Sequence, residues 1–103
     1  MMPVEWTRSA VADLASIYEY IAKDSERYAI SVVDRLSRRT LQIGRFPYSG
    51  EFVPEYRNDQ IREVVEYSYR IIYLVKKDTI YVLAVVHGAR LLPEKMPLPE
   101  GGN

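Results

Sequence analysis

Arg70 and His87 are the residues of this 103-residue chain whose types and settings are best suited to chemistry. Arg70 interrupts an apolar run, Tyr69-Arg70-Ile71-Ile72-Tyr73. A guanidinium is costly to desolvate, so it needs an anionic partner within the chain or an exposed position at the sheet end. Glu63 and Glu66 are the carboxylates that would make a structural ion pair. The alternative is a phosphate or carboxylate ligand, because the planar fork of donors matches those oxyanions. His87, the single histidine, ends a second apolar run and is followed by Gly88-Ala89-Arg90. Imidazole titrates near neutral pH and serves as a general acid or base. The plainer reading of a lone histidine is a structural hydrogen bond.

Other chemistries are excluded by what is missing. There is no cysteine, which removes disulfides, thiolate zinc sites and cysteine nucleophiles. One histidine excludes a histidine-rich metal site, and no metal or organic cofactor is expected. No glycine-rich phosphate loop and no serine-nucleophile motif is present. Fourteen Lys+Arg balance fourteen Asp+Glu, which argues against binding nucleic acid through bulk charge. No apolar run reaches membrane-spanning length and the N-terminus lacks a signal-peptide pattern, so a cytoplasmic protein without membrane contact is expected.

The elements that must position these residues follow from periodicity. Pro3–Thr7 reads as a short strand, with Thr7 as a helix N-cap. Val11, Leu14, Ile17, Tyr18 and Ile21 recur at helical spacing, with Asp13 and Glu19 off the stripe. Asp24-Ser25 supplies a break and a fresh cap. Ala29, Val32, Val33, Leu36, Thr40 and Ile43 then mark a second helix, which Gly44 should close. Residues 51–60 read as polar and irregular. Three strands follow, over Ile61–Tyr67, Tyr69–Lys76 and Thr79–His87. Lys76-Lys77-Asp78-Thr79 is a tight hairpin turn, and Tyr67-Ser68 is a link that can hold a bulge. Tyr69, Ile71, Tyr73 and Val75 share one face of the middle strand; Arg70, Ile72, Leu74 and Lys76 share the other.

The order β-α-α-β-β-β implies an α+β fold: an N-terminal strand and an antiparallel helical hairpin packed on one face of a mainly antiparallel sheet. Residues 1–92 form the domain and 93–103 a Pro/Gly-rich tail; Leu91, Leu92, Met96 and Leu98 are the apolar residues past the last strand that can dock. The opposite sheet face has no predicted helix to cover it.

The pieces, taken in order, resemble the RelE/ParE superfamily of bacterial toxin–antitoxin toxins. They are Val4-Glu5-Trp6-Thr7, Ile17-Tyr18-Glu19-Tyr20-Ile21-Ala22, Phe46-Pro47 before Gly50, Arg62-Glu63-Val64-Val65, Tyr69-Arg70-Ile71-Ile72-Tyr73, and Val82-Leu83-Ala84-Val85-Val86-His87-Gly88-Ala89-Arg90. The resemblance implies a toxin neutralised by a cognate antitoxin laid across it as a helix and an extended segment. A homodimer or a hetero-oligomer with antitoxin is compatible with that. The partner surface is expected at Arg70, Ile72, Leu74 and Lys76 of the outer sheet face, with Tyr18 and Arg38 of the hairpin.

Two activities are implied by the two branches. RelE-like members are ribosome-dependent mRNA endonucleases; here that reading rests on Arg70, His87 and Arg90, with Glu63. ParE-like members inhibit DNA gyrase and lack the nuclease set. The neutral charge, and Gly88-Ala89 where the nuclease branch would carry a tyrosine, favour the ParE-like branch. A non-toxic binding scaffold of the same fold is the third reading.

Overall fold

The computed structural model of the protein describes residues 1–99. The elements are β1 (Val4–Trp6), α1 (Arg8–Ala22), α2 (Glu26–Arg45), β2 (Glu51–Phe52), β3 (Ile61–Glu66), β4 (Tyr69–Val75) and β5 (Ile80–His87). They build one five-stranded sheet in the order β1-β5-β4-β3-β2. β1 runs parallel to β5, and the other neighbours are antiparallel. The expected α+β architecture is present, with one strand more. β2 pairs Glu51 with Glu63 and Phe52 with Arg62. Two residues are too few to show a period, so this strand exists only through its neighbour.

The helix starts follow local capping chemistry. Thr7 Oγ1 accepts from the Ala10 amide (3.2 Å) and donates to the Val82 carbonyl (3.0 Å), which ties the start of α1 to β5. Ser25 caps α2 by accepting from the Tyr28 amide at 3.1 Å. The buried side of α1 is centred on Ala10, Leu14, Ile17 and Ile21, so Val11 is exposed rather than in the apolar stripe. Gly44 does not terminate α2, which runs to Arg45. Glycine is needed there for close approach: a Cβ would lie 2.8 Å from the Met2 carbonyl oxygen, and Met2 donates its amide to Gly44.

The sheet has an apolar core on each face. On the helix side, Val32, Leu36 and Ile43 of α2 pack against Val64, Ile71, Tyr73, Val75, Ile80, Val82 and Val85. On the outer side, Ile61, Ile72, Leu74, Leu83 and Ala84 are buried together with Val53. The outer face is therefore not open. The chain covers it with Val53 and Tyr56 from the segment after β2, and with Leu92 and Met96 from the tail. Residues 100–103 of the expected tail lie outside the described residues.

The link Tyr67-Ser68 is a plain two-residue hairpin with Tyr67 at φ 56, not a bulge. The bulge falls instead in β5. Tyr73 pairs with Val82 and Ile72 with Ala84, leaving Leu83 as the extra residue. Leu83 and Ala84 consequently both point outward, and Val82 and Val85 both point to the helices.

Tyr73 is the largest side chain buried without exposure. Its hydroxyl donates to the Pro47 carbonyl (2.8 Å) and accepts from the Gly50 amide (3.0 Å), holding the turn that leads into β2. Tyr73→Phe leaves two polar backbone groups unpaired next to the core and should cost about 1–3 kcal/mol. Gly50→Ala places a Cβ 2.5 Å from the same hydroxyl and 2.7 Å from the Glu63 carbonyl, so it should also destabilise. Urea denaturation of the two single variants and the double checks both; the shared contact predicts losses that do not add.

Candidate functional site

Arg70 stands on the outer face of β4, between Val65 of β3 and Val86 of β5. Its side chain is 12% exposed. Nε donates to Glu63 Oε1, and the two terminal nitrogens each donate at 2.9 Å to the two oxygens of Glu55. The structural ion pair with Glu63 is thus present. A second carboxylate, unforeseen from the sequence, grips the guanidinium bidentately from the covering segment. Hydrogen bonding to Glu55 pushes the Arg70 pKa further up, and the Arg70 hydrogen bond holds the Glu55 carboxyl below the usual carboxylate range. Glu66 lies on the opposite face, where it binds Arg35 (2.9 Å) and Arg39 (3.4 Å) of α2.

His87 pairs with Tyr69 across β4–β5, while Arg70 pairs with Val86. Opposed residues share a face, so His87 is on the helix side and Arg70 on the outer side. The ring of Tyr69 meets His87 edge-on, centroids 5.8 Å apart. His87 Nδ1 accepts from the Ala89 amide at 3.3 Å, and the Arg90 amide donates to the His87 carbonyl at 2.9 Å. Of the four residues of the nuclease reading, Arg70 and Glu63 meet on one face. His87 is on the other, and Arg90, beyond the end of β5, lines both the helix-side groove and the outer-face cleft beside Leu92 and Met96.

His87 and Arg90 belong to an open groove of about 770 Å³ between the helical hairpin and the end of the sheet. Its aliphatic floor includes Ile17, Ile21 and Val32, and tyrosines 20, 28, 67 and 69 line it. Tyr20, Tyr28 and Tyr67 are largely exposed. Burial raises the Tyr69 hydroxyl pKa, with Tyr28 and Tyr20 as lesser causes. An apolar floor under amphipathic aromatic rings is the composition of a protein interface.

Backbone events shape this groove. β1 pairs with β5 only as far as Val82, so the β5 edge beyond it lacks a strand partner. Asp13 of α1 fills that place, its Oδ2 accepting from the Val85 amide at 3.0 Å. Tyr67 adopts a left-handed conformation, at a cost of about 1–2 kcal/mol, and Arg35 lies over its ring at 5.4 Å. The Gly88 amide donates to the Ser68 carbonyl at 2.7 Å and fastens the turn to the end of β5.

The residues expected at a partner surface do not form one surface. Ile72 and Leu74 are buried under the chain's own Val53, Tyr56, Leu92 and Met96. Lys76 is half-buried at the start of the β4–β5 turn. Tyr18 is half-buried, its hydroxyl pKa raised by desolvation and then by Glu26. Arg38 is exposed and paired with Asp34 at 2.7 Å. The sequence gives no reason to single out Tyr28, Tyr67 or Glu55, and it marks Asp13 only as lying off the apolar stripe. Nine tyrosines in 103 residues are the one signal visible in the sequence, and it does not say which rings gather. Among the described residues, no group of three or more His, Asp or Glu side chains is placed to hold a metal ion. No helix among them is long and apolar enough to cross a membrane.

The Arg70–Glu55 contact carries a sign that pH can test. A carboxylate with a depressed folded pKa stabilises the fold above its unfolded pKa, about 4.3, and loses that contribution as pH falls through the lower folded value. Urea denaturation at intervals from about pH 3 to 7 should show an acid loss in the parent chain that Glu55→Gln lacks. Parallel curves for the two chains would mean that the contact contributes nothing to the fold.

A family model for the ParE toxin of the type II toxin-antitoxin system parDE matches residues 4–92. Two solved structures share the fold. The chromosomal ParDE system from P. aeruginosa superposes with a TM-score of 0.70 at 23% identity, over 84% of this chain and 96% of that one. The toxin–antitoxin complex RelBE2 from Mycobacterium tuberculosis does so with a TM-score of 0.56 at 21% identity, with the same coverage. No curated protein matches in sequence. The matched span begins at the first residue of β1 and ends at Leu92, taking in both helices, all five strands and the tyrosine-lined groove: the chain belongs to the ParE toxin family of type II toxin–antitoxin systems.

Proposed function

We propose that the protein is the toxin of a toxin–antitoxin pair, that a cognate antitoxin neutralises it, and that its target is DNA gyrase. The family match over residues 4–92 carries the toxin reading. The two structural neighbours are systems in which a toxin is paired with an antitoxin. The separation of Arg70 and Glu63 from His87 supports the gyrase branch over mRNA cleavage. A phosphodiester held at one face cannot be reached from the other, and the Arg70 donors already meet two carboxylates.

The groove is the natural seat for the antitoxin. An amphipathic helix offers aliphatic residues to Ile17, Ile21 and Val32, while the tyrosine hydroxyls stay at the wet rim. Asp13, His87 and Arg90 at one end supply polar groups that orient it.

Two measurements test this reading. Calorimetric titration with the antitoxin should show Tyr20→Ala and Tyr67→Gly together weakening binding by at least about tenfold, because exposed aromatic anchors carry interface energy. Neither change should lower stability, since Tyr20 is exposed and glycine removes the left-handed penalty at 67. Purified toxin with gyrase and DNA should accumulate cleaved complexes, and induction in cells should stop thymidine incorporation before methionine incorporation. No cleaved complex at excess toxin, with an immediate fall in translation, would move the target to mRNA. Growth unaffected by induction would leave a binding scaffold.

A further inference from the structure

The tail beyond β5 is irregular in backbone but not in placement. Leu92 and Met96 pack on the outer core formed by Ile72, Leu74, Leu83 and Ala84. Pro93 follows Leu92 and Pro97 follows Met96, and proline can neither continue a helix nor donate into a sheet ladder. Among the described residues, no backbone–backbone hydrogen bond outside the regular elements involves residues 91–99. A side chain supplies the polar anchor: Tyr56 donates its hydroxyl to the Pro93 carbonyl at 2.7 Å. Tyr56 is adjacent to Glu55, whose carboxylate is gripped by Arg70 at 2.9 Å on both oxygens. The Tyr56 amide also donates to the Val53 carbonyl at 3.0 Å, closing the turn that presents both side chains.

We infer that residues 91–97 form a detachable strap over an apolar face of the sheet, latched through Tyr56 by the Arg70–Glu55 ion pair. The parts act in series: Arg70 fixes Glu55, Glu55 fixes the turn, and the turn places the Tyr56 hydroxyl on the strap. Arg70 is then a positioning residue and touches no substrate. The strap belongs to the low-stability end of the fold, since among the described residues it rests on two apolar side chains and one hydrogen bond, whereas β4 is buried and laddered on both edges. Lifting it bares the part of the outer core beneath Leu92 and Met96 without disturbing the helix-side core. This inference stands on the contacts alone and is independent of the toxin's target.

Limited trypsin digestion of the full chain, followed by mass spectrometry, reads the latch at the Lys95–Met96 bond. Cleavage in a folded protein follows the population of the locally open form. Tyr56→Phe and Glu55→Gln should each speed cleavage after Lys95 about fivefold, the loss expected for one hydrogen bond. Cleavage within the helices and β3–β5 should be unchanged. Because the parts act in series, the double variant should be cleaved no faster than about the faster single one. Leu92→Ala should speed the same cleavage in every background. Unchanged rates in both latch variants would overturn the link between Arg70 and the tail. Cleavage of the parent chain as fast as that of a free peptide spanning residues 88–99 would overturn the strap itself.

Discussion

One extra residue in β5 governs which side chains of this protein meet. Strands alternate sides, and β4 and β5 are the two most buried strands, so any slip between them would turn apolar residues to the wrong face. From Val75–Ile80 to Tyr73–Val82 the pairing runs in step; at Leu83 it slips by one and resumes at Ile72–Ala84. Leu83 and Ala84 thereby share the outer core, and Val85 returns to the helix side beside Ile71. Uninterrupted alternation would have put His87 on the outer face, the face of Arg70. The bulge moves it to the groove beside Tyr69.

Buried charge is handled by the same economy of faces. Arg70 cannot sit in an apolar strand without anions, and the fold supplies one from the neighbouring strand and one from a covering segment. Glu66, on the other side of β3, is neutralised by Arg35 and Arg39 of α2. Arg35, Arg38 and Arg39 of that helix therefore all serve intramolecular pairing, with Arg38 bound to Asp34. The zero formal charge of the chain is consistent with this internal matching.

The groove arises where regular pairing stops. β1 is only three residues long because Thr7 turns the chain into α1. The β5 edge left beyond it is partly capped by Asp13. At the other side, the tight Glu66–Tyr69 hairpin holds Tyr67 in a conformation that a non-glycine residue rarely adopts. An exposed tyrosine held at a conformational cost, over an aliphatic floor, is what a surface built for contact with a partner requires.

The sequence by itself determined the types of every element but β2, both helix N-caps, the two faces of β4, the need of Arg70 for an anion, and the family resemblance. Each rests on a local period, a local cap or the desolvation cost of one group, which the chain states within a few residues. It also marked Leu92 and Met96 as apolar residues in want of a seat. Only the tertiary structure decided that this seat is the outer face, so that Ile72 and Leu74 are core rather than free surface. It alone placed Glu55 on Arg70, made a strand of Glu51–Phe52, and gathered tyrosines 20, 28, 67 and 69 around one groove. It alone separated His87 from Arg70, because a bulge shows no local signature in a run that is apolar on both faces, and alternation carries no information where both sides are buried.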